Sequence, residues 1–167
     1  MLFRSRTFRA YCGHQNTPYR LEDAEHPAVI RHGHTICLAH AVDRMYYQHG
    51  AKAHRQLFIN ALRLLHKNPL AEADLPSSGR ISLLHQPEHR RYVLHLLYAS
   101  PLQRGRCLVI EDLPELRDVK VFLRLPETIQ SLRLIPAGDS LDMVKTPDAI
   151  ATTIPAFSCH CAIVAEY

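Results

Sequence analysis

The stretch RISLLHQPEHRRYVLHLLYAS, Arg80 to Ser100, decides the fold. Its two apolar runs, RISLLHQ and RYVLHLLYAS, are separated by PEHR, with Pro87 early in the connection. Proline presets the backbone angle that a type I turn needs at its second position, so the stretch predicts a β-hairpin. In the second run Tyr92, Leu94, Leu96 and Tyr98 fall on one pleat and Val93, His95 and Leu97 on the other. A strand apolar on both faces is central in its sheet.

Downstream the same period continues. RCLVIEDL, DVKVFLRL, IQSLRLIP, DSLDMVK, AIATTIP and CHCAIVAEY are each seven to nine residues long and bounded by Pro, Gly or Asp. In DVKVFLRL, Val119, Val121, Leu123 and Leu125 share one side, while Lys120, Phe122 and Arg124 share the other. That alternation fits a half-buried strand, and a run of short strands at this spacing predicts an antiparallel β-sandwich over residues 76–167.

Upstream the period differs. Residues 1–27 are polar and turn-rich. AVIRHG and HTICLAH, joined at Gly33-His34, predict a tight hairpin or two consecutive strands. In AKAHRQLFINALRLLHK, Leu57, Ala61 and Leu65, and Phe58 and Leu62, recur at spacings of four, which predicts one amphipathic helix over Lys52 to Lys67, stopped by Pro69. The helical period gives way to a strand period near Asp74 to Ser78. The expected fold class is therefore α+β: a partial α/β unit of two strands and one helix (1–75), followed by the sandwich (76–167). Two strands and one helix leave an apolar sheet face and an edge uncovered, so another copy or a larger protein is expected to cover them.

Composition narrows the function. The 167 residues carry a net charge of +4 with His neutral, yet Lys and Arg are scattered among acids, so nucleic acid is not the expected partner even with RSRTFR at Arg4 to Arg9. Five cysteines (Cys12, Cys37, Cys107, Cys159, Cys161) form no CxxC pair or disulfide framework, which fits reduced thiols in a cytoplasmic protein. No apolar run reaches the length of a signal core or a membrane span, so no membrane partner is expected.

Three motifs offer chemistry. HPAVIRHGHTICLAH, His26 to His40, holds four of the twelve histidines. His32 and His34 would share a face in one unbroken strand, with His14, His40 or Cys37 to complete a metal set. A turn at Gly33 breaks that face, and imidazoles bonded to backbone at strand ends are the expected reading. In CHC, Cys159 and Cys161 share one strand face and His160 takes the other, which suits buried apolar thiols better than a metal. Cys12-Gly13-His14 has the letters of a thiol nucleophile and base but neither a preceding strand nor a following helix. The chain has no Trp, and Tyr46-Tyr47, Tyr92 and Tyr98 are expected in a core or interface rather than on a sugar-stacking platform.

Several phrases, in order, carry a resemblance: CGHQNTP, HPAVIRHGHTICLAH, HRQLFINALRLL, LPSSGRISLLHQPEHRRYVLHLLYASP, VIEDLPELRDVKVFLRLPE and IPAFSCHCAIVAEY. From about Cys12 onward the chain resembles the C-terminal part of bacterial glycoside hydrolases of the β-galactosidase type. In these a catalytic (β/α) barrel precedes a trimerisation domain similar to the glutamine-amidotransferase fold, and a β-sandwich follows. The resemblance implies the end of the trimerisation-like domain plus the sandwich. A retaining glycosidase needs two carboxyl groups about 5–5.5 Å apart on rigid strand ends. The acids of EDAEH and EDLPE are instead expected in turn-like segments. No catalytic, cofactor-binding or metal residue is assigned. The expected function is a non-catalytic accessory and assembly region of a glycoside hydrolase, its partner another copy or a larger hydrolase chain. A small cysteine hydrolase using Cys12 with His14 or His40 is the alternative, as is a metal- or carbohydrate-binding module.

Overall fold

The computed structural model describes residues 2–6 and 23–167. Within it the chain divides into two compact units, Met1–Lys67 and Asn68–Tyr167. The expected boundary at 75/76 lies eight residues further on. Between the two positions is β4 (Ala71–Ala73), which pairs with β9 (Leu116–Leu123) of the second unit.

The first unit has more elements than the sequence suggests. Three antiparallel strands, β1 (Leu2–Arg6), β2 (Asp23–His32) and β3 (Thr35–Leu38), stand in the order β1-β2-β3. The expected hairpin is present: His32 faces Thr35 across Gly33-His34, and Gly33 has a φ of 55°, which a two-residue hairpin turn takes at its first position. β2 starts ahead of Pro27, so Asp23 to His26 of EDAEH, expected in a turn, lie in a strand. Two helices follow, α1 (Val42–His49) and α2 (Lys52–Leu65). α1 lies outside the expected elements: Val42, Met45 and Tyr46 stand at the helical spacing, but eight residues show that period only once. Its end signals are Asp43 in the first turn and the left-handed Gly50, whose N–H caps the Tyr46 carbonyl.

The stripe on α2 is only half covered. Ala61 is buried, but Leu57, Phe58, Leu62 and Leu65 stay exposed, and a histidine, His54, takes the other buried position seven residues before Ala61. Among the described residues of this unit, Val29, Val42, His54 and Ala61 alone are buried.

The second unit is a sandwich of two four-stranded antiparallel sheets. One has the order β10 (Ser131–Ile135), β13 (His160–Glu166), β6 (Arg91–Leu97), β5 (Arg80–Gln86). The other has β11 (Val144–Lys145), β12 (Ile150–Phe157), β9, β4. β7 (Leu102–Arg104) and β8 (Cys107–Val109) form a separate hairpin. β5 and β6 pair from Arg80↔Leu97 to Gln86↔Arg91, and a single 3-10 turn at Pro87–His89 closes them. β6 lies between β5 and β13, central as expected.

The core is the sum of the alternations. Tyr92, Leu94 and Leu96 from β6, Cys161, Ile163 and Ala165 from β13, and Leu132 and Leu134 from β10 meet Val119, Val121 and Leu123 from β9 and Ile154 from β12. Full burial of each large aliphatic side chain contributes about 1.5–3 kcal/mol, so among the described residues this unit carries most of the hydrophobic stabilisation. DSLDMVK, expected as a full strand, supplies only Val144–Lys145 and a bridge between Ser140 and Arg133. Leu141, Asp142 and Met143 keep the alternation of buried and exposed side chains but belong to no strand.

Candidate functional site

The second unit gathers its chemistry at the end of the sandwich where the β9–β10 loop meets the C-terminus. Tyr92 projects inward from β6, and its phenol donates to Glu127 Oε2 at 2.7 Å. His85, on β5 opposite Tyr92 in the ladder, stacks on the Tyr92 ring with centroids 4.2 Å apart and planes within 8°. The His85 Nε2 lies 3.0 Å from the Tyr167 hydroxyl and 4.0 Å from Glu127 Oε1. Arg90, at the left-handed end of the β5–β6 turn, donates to the Tyr167 carbonyl at 3.1 Å, and its guanidinium stands 5.9 Å from that ring. The Tyr167 N–H returns a bond to the Arg90 carbonyl at 3.0 Å.

Burial, and next the Glu127 carboxylate that accepts its hydrogen bond, pushes the Tyr92 phenol up to about 12. The phenol is therefore held protonated as a donor, and Glu127 remains an acceptor. Beside this cluster opens a cleft of about 530 Å³. Buried Leu123 and Ile129 line it together with Glu127, Arg124, Lys145 and Asp148. Arg124 is already committed: its Nη1 donates to Glu72 Oε2 at 2.7 Å and to the Pro69 carbonyl at 3.1 Å. Glu127 and Arg124 are thus engaged with Tyr92, with Glu72 and with the Pro69 carbonyl. The arrangement fastens the last residue and the β9–β10 loop to the β5–β6 hairpin.

The sequence motifs are distributed differently. Among the described residues, no three His, Cys, Asp or Glu side chains converge as a metal group would. His32 and His34 sit on either side of Gly33 in the hairpin, both exposed, and Cys37 and His40 are exposed further along. Cys12 and His14 lie outside the described residues. In CHC the shared thiol face does not form. Cys159 stays in the β12–β13 turn with a φ of 60° and is exposed, because β13 begins only at His160. Cys161 points into the core, where burial raises its thiol to about 11. EDLPE lies in the irregular segment between β8 and β9, as expected. Tyr98 is half-buried against the core, whereas Tyr47 is 90% exposed and Tyr46 38%, so that pair belongs to no core.

No family model and no curated protein matches the chain. Among solved structures, α-L-fucosidase isoenzyme 2 from Paenibacillus thiaminolyticus matches it with a TM-score of 0.83 and 30% sequence identity, over 99% of this chain and 26% of that one. The chain is related to part of a glycoside hydrolase. It spans about a quarter of the length of that enzyme. The sandwich-rich α+β architecture agrees with the match. No helix among the described residues is long and apolar enough to cross a membrane.

Proposed function

We propose that these residues serve as an accessory and assembly region of a glycoside hydrolase, and that the catalytic carboxylates are carried elsewhere. In this reading the first unit corresponds to the end of a β-galactosidase-type trimerisation-like domain and the second to the C-terminal β-sandwich. The observation that carries it is the match of nearly the whole chain to only a quarter of an α-L-fucosidase. The exposed α2 stripe of Leu57, Phe58, Leu62 and Leu65 supports it, since contiguous apolar surface of this kind marks protein contacts. The partner is another copy of the chain or a larger hydrolase chain in the cytoplasm, and the substrate of the assembled enzyme is an α-L-fucoside, by analogy with the matched protein.

Two measurements on the purified chain test this. With aryl α-L-fucoside and aryl β-galactoside the chain alone is expected to show no turnover, and enzyme-level turnover would overturn the accessory reading. Light scattering is expected to give a particle larger than the 19.1 kDa monomer, or co-elution with a catalytic hydrolase chain. A strict monomer that ignores such a chain would overturn the assembly reading.

A further inference from the structure

We propose that His95 and His160 form a two-ligand site for a divalent transition-metal ion of the imidazole-preferring class, Ni²⁺, Cu²⁺ or Zn²⁺. The site lies on the outer face of the first sheet and is independent of the accessory role argued above. β6 and β13 are adjacent antiparallel strands, with His95 opposite Ala162 and His160 opposite Leu97. This register sets the two histidines diagonally on one face, within reach of each other. Their neighbours Leu94, Leu96, Cys161 and Ile163 point the other way, into the core.

The ring nitrogens already converge. His95 Nδ1 and His160 Nε2 are 3.1 Å apart, with ring planes within 12° and centroids 5.3 Å apart. That is the geometry of one N–H···N hydrogen bond, a single proton shared by two basic nitrogens. Two imidazole nitrogens, each about 2.0–2.1 Å from one ion and separated by tetrahedral to right angles, lie about 2.9–3.4 Å apart. The observed separation falls inside that window, so an ion can replace the shared proton once each ring turns to aim its nitrogen at the ion. Either ring nitrogen of a neutral imidazole serves as a ligand.

The support is rigid. Both histidines stand on a ladder of seven residue pairs between β6 and β13, and the residue before His160 is tied down by the Tyr98 N–H, which donates to the Cys159 carbonyl at 2.7 Å. His160 is exposed and His95 half-buried, which leaves the remaining coordination positions open to water. No third protein ligand converges among the described residues, so the affinity expected is that of a two-histidine chelate. The ion needs both nitrogens free of protons, so metal binding displaces the proton that the two rings share.

The test is a Ni²⁺ titration of the chelator-stripped full chain by NMR and calorimetry. The chain with both His95→Gln and His160→Gln serves as the reference for the other ten of its twelve histidines. One ion is expected to broaden the His95 and His160 ring resonances first. Each single variant is expected to weaken that event by about tenfold or more, the lower end of what losing even an indirect partner of a metal ligand costs. Equal stoichiometry and affinity in the parent and the double variant would overturn the proposal. So would first-equivalent broadening confined to other histidines, a readout that needs no variant to fold.

Discussion

Tyr92 and Glu127, 35 residues apart in sequence, are joined by a 2.7 Å hydrogen bond from a buried phenol to a half-buried carboxylate. The bond fixes the β9–β10 loop to the central strand of the first sheet. Tyr92→Phe keeps the ring and its stack on His85 but leaves Glu127 without its donor. We expect a loss of about 1–3 kcal/mol in denaturant unfolding, and a double-mutant cycle with Glu127→Gln should show coupling. A loss no larger than the scatter of surface substitutions would show that the bond contributes nothing.

The same pair sets an alkaline limit. Burial first, and the Glu127 acceptor second, lift the Tyr92 phenol from its ordinary 10.0 to about 12. The folded chain therefore keeps the proton that the unfolded chain releases. This contribution is complete below pH 10 and is lost as the pH rises toward 12. Tyr92→Phe should flatten the fall in stability over that window, measured by chemical unfolding at several pH values. An unchanged slope would assign the alkaline loss to other groups.

Much of the second unit was legible because its residues obey the period of two. DVKVFLRL buries Val119, Val121 and Leu123 and exposes Lys120 and Phe122, as its alternation requires. The β5–β6 hairpin followed from Pro87 between two apolar runs. Short elements escaped. β4 is three residues, Ala71–Ala73, too few to display a period, and β7 has no buried face to read. α1 escaped because most of its surface is exposed. The cluster at the end of the sandwich was illegible for another reason. His85, Tyr92, Glu127 and Tyr167 meet only through register, and no local spacing reports it. The same holds for His95 and His160, 65 residues apart. The histidine-rich stretch at residues 26–40 drew attention by density alone, whereas the ring pair that touches lies elsewhere.

The cysteines separate into two classes despite adjacent positions. Cys159 is exposed in its turn, whereas Cys161 is 2% exposed with a thiol raised to about 11 by burial. Because the thiolate is the reactive form, native-state alkylation at pH 8 should label Cys37, Cys107 and Cys159 and spare Cys161 until the chain is unfolded. Peptide mapping by mass spectrometry reads this directly. Rapid native labelling of Cys161 would mean that β13 does not hold its inward face.

Gly79 sits where the chain turns into β5, and its N–H donates to the Pro76 carbonyl at 2.7 Å. A Cβ there would stand 2.7 Å from the Leu75 Cβ and 3.0 Å from the Pro76 carbonyl oxygen. Neither atom is the far end of a flexible side chain, so the backbone must give way. Gly79→Ala is expected to lower stability by about 1–3 kcal/mol, the usual cost of forcing extra volume into a packed site. An unaffected unfolding midpoint in Gly79→Ala would show that the turn relaxes freely.

Two core positions should respond with opposite signs. Ile163 is fully buried in β13, so Ile163→Ala removes packed methyl groups and leaves a cavity, at a cost of about 2–5 kcal/mol. Thr152 lies on β12 opposite Val121, 5% exposed, and its hydroxyl has no hydrogen-bond partner. Thr152→Val replaces that stranded hydroxyl with a methyl group of nearly the same size, in a wall already built from Val121 and Ile154. A gain of about 1 kcal/mol is expected from relieving the unpaired group. Unfolding of both variants at a common pH checks the pair. A loss in Thr152→Val comparable to that in Ile163→Ala would mean the hydroxyl is bonded in solution, and that the second sheet's inner face is wetter than its apolar neighbours imply.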